Sequence, residues 1–153
     1  MVQPVGRSAL HFQISPVLKR LPFVVPSAPV LKTRPPSGLD WLHEVKHDGW
    51  RAQLHVNGDT ATIHSRSGRD LSRRFRSICD ALSELHVAAA IIDAELVACD
   101  DTGKPDFRAL MAGGRHGTCA WCFDLMHLNG RDLRPLPLDE RLRPVAQPAH
   151  RSG

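Results

Sequence analysis

The chain has no apolar run approaching the roughly 18 residues needed to cross a bilayer. It also lacks a basic N-terminal region followed by an apolar stretch and a small-residue cleavage site. These absences argue against a membrane protein and against export, so the expectation is a cytosolic protein. Cysteine is scarce. Cys79, Cys99, Cys119 and Cys122 are four thiols in a chain without an export signal, which reads as reduced cysteine rather than a disulfide framework. Cys119 and Cys122 form a CxxC, but a structural zinc site needs a second pair at similar spacing, and Cys79 and Cys99 do not provide one. Within Cys119-Ala-Trp-Cys-Phe the sulfurs are read as small hydrophobes in a core. Internal repeats and low-complexity tracts are absent too, which excludes solenoid and array architectures.

What is present suffices for one core. A chain of 153 residues with 42% hydrophobic residues accommodates a single domain and not two. The net charge of +4 and the pI near 9.2 mildly favour polyanionic partners. Pro4, Pro16, Pro22, Pro26, Pro29, Pro35 and Pro36 all lie in the first 36 residues, where missing donors and fixed φ oppose regular structure. Residues 1–38 are therefore read as an extended arm, 39–143 as the folded part and 144–153 as a frayed tail.

The folded part alternates as strands do. Trp50, Ala52, Leu54 and Val56 interleave with Arg51, Gln53 and His55, Asn57-Gly58-Asp59 supplies a turn, and residues 60–65 alternate again, which is a hairpin with one wet face. Ser72 is placed to cap a helix in which Phe75, Ile78, Leu82 and Leu85 recur at helical spacing. Residues 88–98 and 118–125 are apolar and strand-like. A short helix is expected over 106–111, and a turn at Asn129-Gly130. Strands predominate, so the class is α+β with a mostly antiparallel sheet.

Two charged constellations stand out. In Glu44-Val-Lys-His-Asp-Gly-Trp-Arg51, a strand running through Lys46 would place Glu44, Lys46 and Asp48 on one face, with Gly49 permitting a sharp turn. Alone, the octet is equally a solvated ladder of alternating charge. In Ile91-Ile-Asp-Ala-Glu-Leu-Val97, Asp93 and Glu95 interrupt an otherwise apolar strand. Buried carboxylates there require a cation, a metal or a hydrogen-bonding ligand, unless Glu95 lies at an exposed strand edge.

The octet resembles motif I, ExKxDGxR, of the ATP-dependent DNA ligases, nucleotidyltransferases that work through a covalent lysyl-nucleotide. Ser65-Arg66-Ser67-Gly68 resembles motif Ia, Asp93-Ala94-Glu95 motif III and Phe123-Asp124-Leu125 motif IIIa, in the family's order. The stretch from Asn129 to Arg141 is similar to bacterial ligases associated with end joining. The resemblance implies an antiparallel-sheet nucleotidyltransferase (DNA ligase adenylation) fold, present here in its N-terminal portion only. It implies that Lys46 attacks the α-phosphate of ATP, that Glu44 lies by the adenine and Arg51 by the ribose or phosphate, and that Arg66 binds the sugar or the 5′-phosphate. It further implies that Glu95 contacts the ribose or the metal shell, that Phe123 stacks on the purine, and that Asp48 orients the nick. ATP and a divalent metal, Mg or Mn, are the implied cofactors. Nicked double-stranded DNA is the implied partner, together with an end-joining protein that binds DNA ends.

An unprotonated amine is needed for such an attack, while Glu44 and Asp48 would raise the lysine pKa above its ordinary value near 10.4. A metal, basic neighbours or desolvation must offset them. Ala94 stands where motif III more usually has glycine, and Ser67 where motif Ia commonly has asparagine. Nothing after Phe123 resembles the family's later Glu-Gly motif, its paired lysines or its OB-fold domain. The expectations are therefore a shortened adenylation domain acting in DNA repair and recombination, or a catalytically silent fragment that binds nucleotide or DNA. Capping and RNA ligase relatives share the lysine chemistry, but the contexts of Arg66 and Phe123 resemble DNA ligases more. An isolated half of a two-sheet domain is also expected to expose apolar surface and to be marginally stable.

Overall fold

A computed structural model describes residues 21–28, 30–38, 41–100, 102, 104–113 and 117–146, the last four by backbone alone. Residues 1–20 of the arm, with Pro4 and Pro16, as well as Pro29 and the tail beyond Ala146, lie outside the described residues. The centre is one five-stranded antiparallel sheet in the order β2-β1-β3-β4-β5. Its strands are β1 (Trp50–Asn57), β2 (Thr60–Ser65), β3 (Ala89–Ala98), β4 (Thr118–Leu128) and β5 (Arg131–Asp132). The β1–β2 hairpin turns at Gly58, whose φ of 56° favours glycine. Asn129 (φ 47°) and Gly130 close the tight β4–β5 turn, where the Asn129 side chain also accepts the Ala88 N–H at 2.8 Å.

One face of the sheet carries the apolar core. Ala52, Leu54 and Val56 of β1, Ile63 of β2, and Ile92, Ala94 and Leu96 of β3 pack against Phe75, Ile78 and Leu82. Ile78 and Leu82 lie on helix α1 (Arg76–Ser83), and Leu110 joins the core from helix α2 (Phe107–Met111). Burying each such side chain contributes about 1.5–3 kcal/mol. The helix after β2 is shorter than its spacing suggested. Ser72 does not cap it; its hydroxyl accepts the Ile63 N–H at 3.0 Å, residues 72–75 form turns, and Leu85 falls beyond the last turn, 43% exposed. The second helix is as expected, with Asp106 accepting from the Arg108 and Ala109 N–H groups.

The other face was expected to be wet, yet Gln53 and His55 are buried. The described part of the arm covers them. Val24 exchanges two hydrogen bonds with the Gln53 side-chain amide, its N–H donating at 2.9 Å, and Phe23 meets His64 edge-on and lies against Gly68. Proline thus removes secondary structure from the arm without removing it from the sheet surface. A further helix, α3 (Leu138–Ala146), runs into the region expected to fray. It is tied to β4 by Arg141, whose guanidinium grips both oxygens of Asp124.

The cysteines separate by register. Cys119 faces Val97 and Cys122 faces Ala94 across the β3–β4 pair, so the CxxC thiols point to opposite faces of the sheet. Cys99 lies beside Cys119 with the sulfurs 3.8 Å apart, a proximity that linear spacing does not reveal.

Between α1 and β4 an open apolar groove of about 750 Å³ is lined by Ile78, Leu82, Leu85, Ile92, Ala120 and Leu125. Its lining is mostly buried, with Leu85 exposed at its edge.

Candidate functional site

The strand expected through Lys46 begins only at Trp50; residues 41–48 are irregular, and Glu44, Lys46 and Asp48 are exposed. What fixes this segment is contact rather than strand pairing. A Cβ on Gly49 would meet the Leu96 carbonyl oxygen at 2.2 Å and the Val97 and Glu95 side chains at 2.9 and 3.0 Å. Glycine is required here by close approach to β3, not by a turn. The Gly49 N–H donates to Glu95, and His47 stacks on Trp121 of β4 with ring centroids 4.3 Å apart and an interplanar angle of 17°. The chain is thus pinned at two points just after the nucleophile candidate, at His47 and Gly49, to the face that carries Glu95.

Lys46 donates to the Asp48 carboxylate. That hydrogen bond, with the charges of Asp48 and Glu95, raises the ammonium above its ordinary value, and the same bond lowers Asp48. Glu95 moves the other way. Partial burial raises its carboxyl, against the opposing pull of the Gly49 N–H and the positive charges of Lys46 and Arg51. Glu44 is exposed and forms no ion pair among the described residues.

Asp93 and Glu95 both alternate onto this face of β3, and their environments differ. Asp93 is buried and paired with the Arg51 guanidinium, through Nε at 3.2 Å and Nη2 at 2.8 Å. A third Arg51 bond reaches the Ser27 carbonyl of the arm at 3.0 Å. Arg51, expected at a ribose or phosphate, is therefore largely engaged within the protein. Its charged end lies 5.7 Å from the ring of Phe123. Phe123 is the extra residue of a bulge, since Asp93 faces Asp124 and Ala94 faces Cys122. Bulges re-aim side chains in this way next to binding sites.

Arg66 is exposed on the turn after β2, which Gly68 closes at φ 80° and the Ser65 hydroxyl secures by accepting the Arg69 N–H at 3.1 Å. This turn, with Gly49, Arg51 and Glu95, bounds an open cleft of about 750 Å³. The cleft brings Arg51, Arg66 and Glu95 together. Lys46, three residues before Gly49, lies within electrostatic reach of Glu95 but does not line the cleft, and neither do Glu44 and Phe123. Sequence reading overlooked Arg69, which lines the same cleft and whose place on the Arg66 turn was the available signal. It also overlooked His47 and Trp121, for which no linear signal exists. Among the described residues no three His, Cys, Asp or Glu side chains gather to hold a metal ion. Arg51 and Arg141 neutralise Asp93 and Asp124, leaving Glu95 as the carboxylate of the cleft. Among the described residues the side chains present do not by themselves build a metal site, and no chemical step is assigned to one.

Residues 30–149 match the family profile described as the ATP dependent DNA ligase domain. The chain is 33% identical over 123 residues to the multifunctional non-homologous end joining protein LigD of Pseudomonas aeruginosa, covering 78% of this chain and 14% of that protein. It is 35% identical over 115 residues to a probable DNA ligase of Saccharopolyspora erythraea, covering 69% and 22%. Among solved structures, the ligase domain of M. tuberculosis LigD superposes with a TM-score of 0.60 at 30% identity, over 67% of this chain and 34% of that one. A mycobacterial DNA ligase D complexed with ATP and MES gives the same TM-score at 28% identity. The chain thus spans less than a quarter of the length of these curated relatives and about a third of the solved domains.

Proposed function

The chain belongs to the ATP-dependent DNA ligase domain family, and from that premise we propose that it is the lysine-bearing part of a nucleotidyltransferase acting on nicked duplex DNA. ATP is the nucleotide of the family. Lys46 takes the AMP group: its neutral amine attacks the α-phosphate, the N–P bond forms, the bond to the β-phosphate oxygen breaks, and pyrophosphate leaves. Protonation of the resulting P–N link makes lysine a good leaving group, so that AMP passes to a 5′-phosphate at the nick.

The observation that carries this reading is the seating of the Lys46 loop through Gly49 beside Glu95, at the rim of a cleft bounded by Arg51, Arg66 and Arg69. Arginine suits that cleft because its planar donors bind two phosphate oxygens at once. Arg66 and Arg69 are exposed there and make no ion pair among the described residues, which leaves their guanidinium groups open to phosphate. Glu95 holds the Gly49 N–H and contacts the ribose, Phe123 stacks against the purine, Glu44 approaches the adenine, and Asp48 orients the nick and its adenylate. The name of the Pseudomonas relative supports a setting in end joining, with a DNA-end-binding protein as partner.

One observation favours a second reading, a silent fragment that binds nucleotide or DNA. Lys46 is exposed and held protonated by Asp48, which opposes its attack. Incubation with α-labelled ATP and magnesium or manganese separates the two. An acid-labile label that is absent in Lys46→Ala supports adenylation; no label with either metal leaves the silent fragment.

A further inference from the structure

Four thiols are distributed so that two of them meet. Cys79 is buried against the core and Cys122 points to the core face of the sheet. Cys99 follows the last residue of β3, and its N–H donates to the Gly117 carbonyl at 3.0 Å, while Cys119 faces Val97. The two are therefore diagonal neighbours on the face away from the core, with their sulfurs 3.8 Å apart and both residues partly exposed. Side chains of diagonal cross-strand neighbours are within reach of one another. A disulfide requires the sulfurs to close to about 2.05 Å, a small movement at the ends of two strands.

The surroundings connect this pair to the nucleophile candidate. Cys119 and Trp121 stand two residues apart on the same face of β4, opposite Val97 and Glu95, and the Trp121 indole is the platform on which His47 stacks. His47 lies between Lys46 and Asp48.

We propose that Cys99 and Cys119 are an oxidisable dithiol, a modification site that closes to a disulfide with a hydroperoxide as oxidant and shifts the Trp121 platform under the Lys46 loop. One thiol attacks the peroxide, its S–O bond forms as the O–O bond breaks, and water leaves. The second thiol attacks the resulting sulfenic acid, the S–S bond forms, and a second water leaves. Two protons and two electrons pass from the thiols to hydrogen peroxide, and a dithiol reductant reverses the change. Burial and the adjacent Cys99 sulfur push the Cys119 thiol up to about 11, so it stays protonated near neutrality and reacts as the second sulfur. This inference stands apart from the adenylation reading, because its test reads thiols and amides rather than label.

The test is hydrogen peroxide treatment of the full chain, followed by alkylation and peptide mapping. The expected result is an intact mass lower by two hydrogens, a Cys99–Cys119 link, Cys79 and Cys122 still alkylated after unfolding, and full reversal by dithiothreitol. In urea, loop closure favours the nearby Cys119–Cys122 pair instead, so the Cys99–Cys119 link must depend on the fold. Cys99→Ser and Cys119→Ser each abolish the native link. No link, a predominant link through Cys122, or the same Cys99–Cys119 preference in urea would overturn the site. Amide exchange over residues 44–49 is expected to change several-fold between the reduced and oxidised chain. A selective disulfide with unchanged exchange there would overturn the connection to the Lys46 loop.

Discussion

The Arg51 guanidinium on β1 grips the Asp93 carboxylate on β3, and both face the arm rather than open solvent. Asp93 side-chain exposure is 6%, so its charge depends on this single cation. Arg51→Met is expected to lower unfolding free energy by about 3 kcal/mol, because a buried carboxylate left unpaired is the expensive outcome. Arg51→Met combined with Asp93→Leu should recover most of that loss. Urea denaturation of the single and double variants measures both, and a single-variant loss under about 1 kcal/mol would show that the pair is not structural.

Gly49→Ala forces a methyl group against the Leu96 carbonyl at 2.2 Å, where backbone cannot yield cheaply. The Lys46 loop must lift, with a destabilisation of about 1–3 kcal/mol typical of overpacking. Loss of the His47–Trp121 stack should appear as a change in tryptophan emission. Unaltered emission and unfolding midpoint would mean that the loop is not seated through Gly49.

Glu95 provides a pH test with a definite sign. Its folded-state pKa is raised, chiefly by burial, so the ionised form is penalised in the folded chain. The stability its protonated form contributes is complete below the ordinary glutamate value and is lost as pH rises through the raised one. Glu95→Gln keeps an oxygen for the Gly49 N–H and removes the penalty. It should stabilise the chain near neutrality by at most about 1 kcal/mol, the site being partly solvated, with the difference vanishing in acid. Destabilisation by Glu95→Gln at neutral pH would refute this.

The groove between α1 and β4 is an open apolar hollow whose exposed lining residue is Leu85, above the buried Ile78, Leu82 and Leu125. Leu85→Glu places a charge at its rim, at a position already 43% exposed, and should leave stability within about 0.5 kcal/mol. The wild-type chain is expected to bind an apolar fluorescent dye and to self-associate, and the variant to do less of both. Equal dye binding and sedimentation would show that the groove is not the exposed apolar surface.

Much of this was legible in the sequence because it depends on local period. Alternation located β1, β2, β3 and most of β4, and Asp106 marked the start of α2. Alternation could not tell which face of β1 is dry: Gln53 and His55 look solvated until the arm, 29 residues before Gln53, lays Val24 across them. Helical spacing overran at both ends, since Ser72 spends its hydroxyl on Ile63 and Leu85 lies past the last turn. The resemblance named Lys46, Arg51, Arg66 and Glu95 as candidates, and it could not foresee that Arg51 is held by Asp93. The meeting of Cys99 with Cys119 depends on sheet register, those of His47 with Trp121 and Arg141 with Asp124 on how a loop and a helix pack on β4, and no single segment encodes either.

The central claim is that Lys46 carries AMP, and the most direct measurement is the pH dependence of labelling by α-labelled ATP in the wild type, Asp48→Asn and Lys46→Ala. Asp48 raises the Lys46 ammonium, so label should increase with pH into the alkaline range in the wild type, and the rise should move to lower pH in Asp48→Asn. Lys46→Ala should take no label at any pH. Label that persists in Lys46→Ala, or a wild type that takes none across the whole range with magnesium or manganese, would contradict the assignment of the nucleophile.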